Sequence, residues 1–214
     1  PVLHSKGPAF HNPRLRRRAL YLPLECEEAD EAAEALAALG MPCASITAPL
    51  KEALPAKLGL KGPLNTLWRE SGAWRGANTD AEALRGALRG KPEGAVLVLG
   101  AGGVASASRA VLEELGFTPI QVDRASRLSE ASVRQAAPVG VIQATSLGMA
   151  PEDPLPFPEA LEAARPTLRW AVEWVYKERT AFAEWASGLD LVDGASLFAA
   201  QAEAQSRIFQ RALG

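Results

Sequence analysis

In the second half of the chain, short runs of apolar residues alternate with longer segments of helical spacing, starting at Ala95. The first run, Val96–Leu99, is apolar at every position rather than at alternate ones, which is typical of parallel strands buried on both faces. Strands and helices in this alternation predict a doubly wound parallel sheet. The predicted strands span 95–99, 119–123, 139–144, 170–176 and 190–193, and the predicted helices span 103–115, 129–136, 179–187 and 197–213.

The first half of the chain has shorter elements and more turn signals. An alanine-rich segment of helical spacing over 27–39 ends at Gly40, a plausible C-cap. Ser71-Gly72 predicts a hairpin between strands at 64–68 and 73–76. The other predicted elements are a short helix within 4–18, strands at 21–24 and 42–48, a short helix from Pro49, a helix over 81–88 with Asp80 as its N-cap, and a loop over 151–158.

The composition changes at 90–94, a segment with two glycines and a proline. We therefore predict an N-terminal α/β domain over 1–90 and a Rossmann-type domain over 91–196. The C-terminal helix 197–213 is a candidate to pack back on the first domain.

A glycine cluster follows the strand at 95–99 in the pattern Gly100-x-Gly102-x-x-Ala105. Such a turn bends the chain tightly, lets a pyrophosphate approach the backbone, and leaves unpaired helix amides that face the phosphates. Asp123 ends the next apolar run about 20 residues later, where a ribose-binding carboxylate would sit. The pattern indicates a dinucleotide site, although a tight turn in a cofactor-free α/β domain is the alternative.

Composition excludes several function classes. The formal net charge is −2, and the one basic cluster, Arg14 with 16–18, is better explained as a solvated helix face than as a nucleic-acid site. No apolar run approaches the ~20 residues of a membrane span, and no signal peptide is visible. Cys26 and Cys43 lack metal-ligand spacing. We expect a cytoplasmic protein with reduced thiols, without a metal and without nucleic-acid or membrane partners.

Two ionisable residues occupy positions that a plain scaffold does not require. Lys51 is predicted in the first turn of a short helix, where the positive helix N-terminus disfavours a cation and so favours proton donation. An exposed, unremarkable lysine is the alternative, just as a simple N-cap is the alternative for Asp80. Neither residue decides the function alone.

Together with other motifs in the same order, these residues resemble the shikimate dehydrogenase family. Residues 1–8 resemble the pattern PVxHSxSP, 45–51 resemble NVTxPxK, 76–80 resemble GxNTD, and 143–149 resemble NATxxGM. The further matching positions are Leu64-Asn65-Thr66, the glycine turn at 100–105, Asp123-Arg124-Ala125, Val175-Tyr176 with Thr180, and Gly194 with Gln201.

The resemblance implies a reversible, NAD(P)-dependent reduction of 3-dehydroshikimate to shikimate, in chorismate and aromatic amino-acid biosynthesis. Lys51 would donate the proton as hydride reaches the carbonyl carbon, and Asp80 would hold the same hydroxyl. The implied substrate-binding residues are Ser5, Thr47, Asn65, Tyr176 and Gln201. The implied cofactor-binding residues are Gly100, Gly102, Gly103, Ala105, Asp123, Arg124, Thr145 and Met149.

Some positions depart from the family pattern. Gly7 replaces a serine, which removes a donor to the substrate carboxylate and would open space that lets quinate bind. Ser45 replaces an asparagine, and the segment between Lys51 and Asn65 is short. These departures leave two alternatives open: a dehydrogenase that accepts quinate, and a catalytically impaired, dehydrogenase-like binding module.

The choice of cofactor and the assembly are less constrained by the sequence. Arg124 suits the 2′-phosphate of NADP, whereas Asp123 would repel that phosphate and suits NAD. We expect NADP, with NAD as the alternative. The resemblance allows a monomer or a homodimer, and fusion to another pathway domain upstream.

Overall fold

The computed structural model describes residues 5–16, 18–126, 128–177 and 180–214. Their backbone forms two compact units, one with the described residues up to Glu82 together with Ala200–Gly214, the other with Ala83–Ala199. The division falls inside helices α4 (Thr79–Leu88) and α9 (Gly194–Ala212), whereas the sequence predicted a boundary at 90. The assignment of substrate binding to one unit and cofactor binding to the other stays a prediction.

The first unit contains a three-stranded antiparallel sheet in the order β1-β2-β3. Its strands are β1 (Cys43–Ser45), β2 (Thr66–Glu70) and β3 (Ala73–Ala77). The predicted hairpin joins β2 to β3 through Ser71 and Gly72, with φ values of 51° and 82°. Two successive left-handed residues are what the tightest hairpin turns require.

Helices α1 (Gly7–Leu15), α2 (Ala29–Ala38) and α3 (Leu50–Lys57) complete the first unit with the ends of α4 and α9. Their apolar faces form two buried clusters. One joins α2 and α3 to the sheet, and the other joins Leu15 to Ile208 and Phe209 of α9. Burial of these faces, rather than helix propensity, supplies most of the stability of such short helices.

The predicted strand at 21–24 is wrong, because this segment belongs to neither sheet. The Asn12 side chain accepts a hydrogen bond from the Tyr21 N–H at 2.7 Å and donates one to the Tyr21 carbonyl at 3.1 Å. Pro23 removes a backbone donor, which disfavours strand pairing. Leu22 and Leu24 are exposed. A single side chain therefore replaces the neighbouring strand that the pattern implied.

The second unit contains a five-stranded sheet in the order β5-β4-β6-β7-β8, with every neighbouring pair parallel. The predicted α/β class and parallel sheet are confirmed. From β4 the chain moves to β5 on one side and then to β6 on the other, so the strand order reverses at β4. The strands are β4 (Ala95–Leu99), β5 (Thr118–Val122), β6 (Gly140–Gln143), β7 (Trp170–Glu173) and β8 (Asp190–Val192).

Among the described residues of the second unit, four helices lie wholly within it: α5 (Gly103–Glu114), α6 (Glu130–Ala136), α7 (Pro158–Ala164) and α8 (Ala181–Trp185). Helix α7 was not predicted. Pro158 at its first turn presets the helical φ angle, and Leu161 is fully buried against the sheet core.

Among the residues described, no helix combines the length and apolarity needed to cross a bilayer. Cys26 and Cys43 are free thiols.

Candidate active site

Lys51 and Asp80 meet in the first unit. Lys51 lies in the first turn of α3 and Asp80 in the first turn of α4. The Lys51 Nζ atom is 2.6 Å from the Asp80 Oδ2 atom, and the side chains are 29% and 24% exposed. The pair is thus shielded from most solvent while a small molecule can still reach it. The structure brings together the two groups that the resemblance pairs, and their catalytic role stays a prediction.

Asn78, and not Asp80, caps helix α4. The Asn78 Oδ1 atom accepts the Ala81 N–H at 3.1 Å, and its amide nitrogen donates to the Pro63 carbonyl at 2.9 Å. The interpretation of Asp80 as an N-cap is therefore wrong. Because Asn78 satisfies the helix amide, the Asp80 carboxylate can turn to Lys51.

Asn65 and Gln201 are linked through Thr79, a fully buried residue of α4. The Thr79 hydroxyl lies 3.1 Å from Asn65 Oδ1 and 3.3 Å from Gln201 Oε1. Asn65 Oδ1 also accepts the Thr79 N–H at 2.8 Å and the Thr66 hydroxyl at 2.9 Å. These bonds fix both amides with their oxygens toward Thr79, one residue before Asp80.

The same bonds leave the amide nitrogens of Asn65 and Gln201 for a ligand. Within the described ranges, neither nitrogen has a hydrogen-bond partner, and neither is a fully buried orphan. Each nitrogen carries two donors. The cluster therefore presents fixed neutral donors of the kind that bind ring hydroxyls.

We predict that Thr79→Val destabilises the first unit. Valine keeps the shape of threonine but leaves the Asn65 and Gln201 oxygens without this donor, which costs about 1–3 kcal/mol of unfolding free energy. Urea denaturation measures the loss, and Thr118→Val, at an exposed threonine of β5, is the control. Equal stability of the two variants would show that Thr79 does not organise these amides.

Ser5 and Thr47 are exposed residues at the ends of other elements. The Ser5 hydroxyl accepts the Gly7 N–H at 3.1 Å, where α1 begins. The Thr47 carbonyl accepts the Leu50 N–H at 3.0 Å, where α3 begins. Neither hydroxyl is hydrogen-bonded to Lys51 or Asp80, so these two assignments rest on the resemblance.

Gly7 does not open space, contrary to the expectation from the sequence. A Cβ atom at residue 7 would lie 2.9 Å from Cε1 and 3.0 Å from Oη of Tyr21. Ser45, the second departure, donates to Gln205 Oε1 at 3.2 Å. The space that suggested quinate binding is therefore filled by the chain itself.

In the second unit, the glycine turn lies where the strand order reverses. The Gly100 N–H donates to the Val122 carbonyl at 2.8 Å, and its φ is +114°. A Cβ atom there would lie 3.0 Å from the Ala144 carbonyl oxygen. Both the backbone angle and the close approach require glycine. Open α/β sheets bind ligands at the carboxyl ends of strands at such a point.

The start of α5 is open. At Gly102 and Gly103, a Cβ atom would have no neighbour within 4 Å, and Ala105 is buried against the sheet. No side chain caps the helix, and its first turn has no acidic residue. The unpaired amides at a helix N-terminus favour an anion. The turn therefore fits a pyrophosphate.

Asp123 closes its own loop after β5. Its Oδ1 atom accepts the N–H groups of Ala125 and Ser126 at 2.7 and 2.6 Å, and its Oδ2 atom accepts the Gln121 amide. The Gln121 bond, and after it the Ser126 N–H, hold the pKa of Asp123 below its usual range. Both oxygens are thus engaged, one by the loop and one by Gln121 of β5, while Arg124 is exposed.

The loop after β6 carries Thr145 and Met149. Buried Gln143 holds it by accepting the Thr145 N–H and donating to the Leu147 carbonyl, both at 2.7 Å. Met149 is 45% exposed. Gln143, which stands where the family motif NATxxGM has asparagine, therefore orders this loop.

Tyr176 follows β7 in the second unit. Its ring centroid is 5.7 Å from that of Phe198, and its side chain is partly exposed. A Cβ atom at Gly194 would lie 2.3 Å from the Val175 carbonyl oxygen, so α9 begins directly against this segment.

Glu173 is a buried carboxyl that the sequence analysis did not identify. Its Oε2 atom accepts the Thr180 hydroxyl at 3.0 Å, and its buried Oε1 atom has no partner in the described part of the chain. Burial raises the pKa of Glu173 to about 7; the Thr180 bond opposes this, and the Asp193 charge adds to it.

This shift predicts a pH-dependent stability difference between wild type and Glu173→Gln. The folded carboxyl binds a proton more tightly than the unfolded one, whose pKa is 4.5, so wild type loses stability as pH rises from 4.5 to about 7. The glutamine variant lacks this loss. Its unfolding free energy relative to that of wild type should therefore rise by roughly 2–3 kcal/mol across that window. Urea unfolding at several pH values measures it, and a pH-independent difference would contradict the shift.

Several known proteins similar to this chain are named shikimate dehydrogenase (NADP(+)). The chain is 34% identical to the shikimate dehydrogenase (NADP(+)) of Citrifermentans bemidjiense over 259 aligned positions, covering 100% of this chain and 88% of that protein. The aligned stretch is longer than this chain, so the relative has residues without counterparts here. No family model matches the chain.

Solved structures show the same fold. Shikimate dehydrogenase 1 from Peptoclostridium difficile aligns with a TM-score of 0.75 and 18% identity, covering 99% of this chain and 89% of that one. A shikimate dehydrogenase in complex with NADP+ aligns with a TM-score of 0.72 and 21% identity, covering 100% and 91%. The order of elements is thus shared over nearly the whole length.

Proposed function

This chain belongs to the shikimate dehydrogenase family, and from that premise we propose that it reversibly reduces 3-dehydroshikimate to shikimate with NADPH. It is an NAD(P)-dependent oxidoreductase that acts on a CH–OH group. The observation that carries the proposal is the 2.6 Å contact between Lys51 and Asp80. An ammonium and a carboxylate in contact can move a proton to or from a substrate oxygen.

In the direction of reduction, the Lys51 ammonium donates a proton to the carbonyl oxygen of the substrate. Asp80 accepts a hydrogen bond from the resulting hydroxyl and stabilises the lysine cation before transfer. Bound NADPH supplies the hydride chemistry at the carbonyl carbon. In the reverse direction the neutral lysine removes the hydroxyl proton.

The substrate is a carboxylic acid with several ring hydroxyls. The amide nitrogens of Asn65 and Gln201 supply donors for those hydroxyls, with the hydroxyls of Thr47 and Tyr176. Ser5 supplies a donor for the carboxylate. Fixed neutral groups of this kind discriminate strongly, because a substrate that lacks a hydroxyl leaves a site donor unpaired.

NADP is the cofactor named for the relative and present in one similar structure. The amides at Gly102 and Gly103 would hold its pyrophosphate, where the open turn fits the group. Arg124 would bind the 2′-phosphate, and the engaged oxygens of Asp123 favour that assignment over ribose binding. Thr145 and Met149 would contact the nicotinamide end.

Steady-state turnover tests the function. Shikimate and quinate are each assayed with NADP and NAD by the absorbance of the reduced nicotinamide. Shikimate with NADP should give the highest kcat/KM. If ligands raise the unfolding temperature but no pair is turned over, the chain is a dehydrogenase-like binding module and the enzymatic proposal fails.

The location and assembly remain predictions from the sequence. These are a cytoplasmic location and a monomeric or homodimeric state, while the resemblance allows fusion to a further pathway domain.

A further inference from the structure

Tyr21 occupies the volume that a side chain at residue 7 would fill. An ideal Cβ atom on Gly7 would lie 2.9 Å from Cε1 and 3.0 Å from Oη of Tyr21, and 3.1 Å from the Ser5 hydroxyl oxygen. The Tyr21 and Ser5 hydroxyls therefore lie close to one point. Tyr21 lies outside the motifs that carry the family resemblance.

The position of Tyr21 is fixed from two sides. Asn12 binds both backbone polar groups of Tyr21. The Tyr21 ring stacks on the buried His11 ring, with centroids 4.6 Å apart and an interplanar angle of 27°. His11 is itself held by Ser206, whose hydroxyl is 2.8 Å from its Nδ1 atom. A side chain held in this way is preorganised for binding.

The phenol is also a neutral donor connected to the proposed substrate residues. Burial raises the pKa of Tyr21, against a smaller effect of its hydrogen bond with Ser45. Ser45 donates to Gln205, and the Gln205 amide donates to the Asn65 carbonyl at 3.1 Å. The phenol hydroxyl is therefore linked through Ser45 and Gln205 to Asn65.

We propose that Tyr21 is a specificity-determining residue, whose hydroxyl binds the substrate carboxylate beside Ser5 and whose ring excludes an added substituent on the carbon that carries it. This inference rests on the proposed function, which places Ser5 at the substrate carboxylate. It explains how the chain tolerates glycine at residue 7, because the phenol replaces the missing hydroxyl. It also reverses the expectation that Gly7 admits quinate.

Tyr21→Phe tests the hydroxyl. Phenylalanine keeps the ring on His11 but removes the donor to a charged group, so KM for shikimate should rise about 10-fold or more. The value of kcat, KM for NADP and the unfolding temperature should stay near those of wild type, since a merely structural role would change stability instead. A KM for shikimate within about twofold of wild type would overturn the proposal.

Tyr21→Ala tests the ring. The ratio of kcat/KM for shikimate to that for quinate should fall at least about 10-fold, because the added hydroxyl gains room. Gly7→Ser placed in the Tyr21→Ala background refills the space and should restore the ratio. An unchanged ratio in Tyr21→Ala overturns the proposal. A wild type without turnover contradicts the proposed function instead, so the two failures are distinguishable.

Discussion

Lys51→Met is expected to lower kcat for shikimate oxidation by about 10²- to 10⁴-fold, the usual contribution of a positioned acid or base. Methionine keeps much of the volume of the side chain but cannot carry a proton. Asp80 then lacks its partner at 2.6 Å. KM for NADP should change little, because the proposed cofactor residues belong to the second unit. Absorbance of the reduced nicotinamide measures kcat, and calorimetry measures the remaining affinity for shikimate.

A matched control for this variant lies on the same helix. Lys57 also pairs with a carboxylate, Asp30, at 2.7 Å, but its side chain is 52% exposed. Exposed ion pairs contribute little to stability. Lys57→Met should therefore leave kcat and unfolding temperature near wild type. If Lys51→Met kept kcat within about twofold of the control, Lys51 would not be the proton donor.

Gly102→Asp is expected to remove most affinity for NADP while the fold persists. At Gly102 a Cβ atom meets nothing within 4 Å, and φ is −77°, so an L side chain is accommodated. A carboxylate about 4 Å from a pyrophosphate charge costs on the order of 4 kcal/mol at the effective dielectric of a protein surface. The dissociation constant should rise on the order of 10²- to 10³-fold.

Two companion variants separate charge from shape. Gly102→Ala adds only a methyl group in open space and should weaken NADP binding far less. Gly100→Ala should lower the unfolding temperature instead, because φ is +114° and the Ala144 carbonyl lies 3.0 Å away. Equal NADP affinity in Gly102→Asp and Gly102→Ala would show that the helix start does not hold the pyrophosphate.

The parallel sheet could be predicted because its three central strands, β4, β6 and β7, are buried on both faces. The run Val96–Leu99 is fully buried, and burial of this kind leaves a continuous apolar signal. Helix α7 has only seven residues, too few to show a helical period, and its helical state depends on Leu161 reaching the core. The segment at 21–24 has a strand-like pattern, yet the backbone N–H and carbonyl of Tyr21 are bound by the Asn12 side chain, which the local sequence does not indicate.

The residues of the candidate site were likewise predictable only in part from the sequence. Motifs located Lys51 and Asp80 because they lie in short, ordered signatures. They could not locate Thr79 as the link between Asn65 and Gln201, since Gln201 is 122 residues further along the chain. The motifs did not indicate Tyr21 either, because its contacts also form only in the folded chain. Its role follows from the space at Gly7, which exists only once the chain is folded.

A double-mutant cycle on kcat shows whether Lys51 and Asp80 act on the same proton. Wild type, Lys51→Met, Asp80→Asn and the double variant are assayed with saturating shikimate and NADP. If the two side chains handle one proton as a unit, the double variant should be no slower than the slower single variant. If the two losses multiply in the double variant, Lys51 and Asp80 act independently and the account of a shared proton site is wrong.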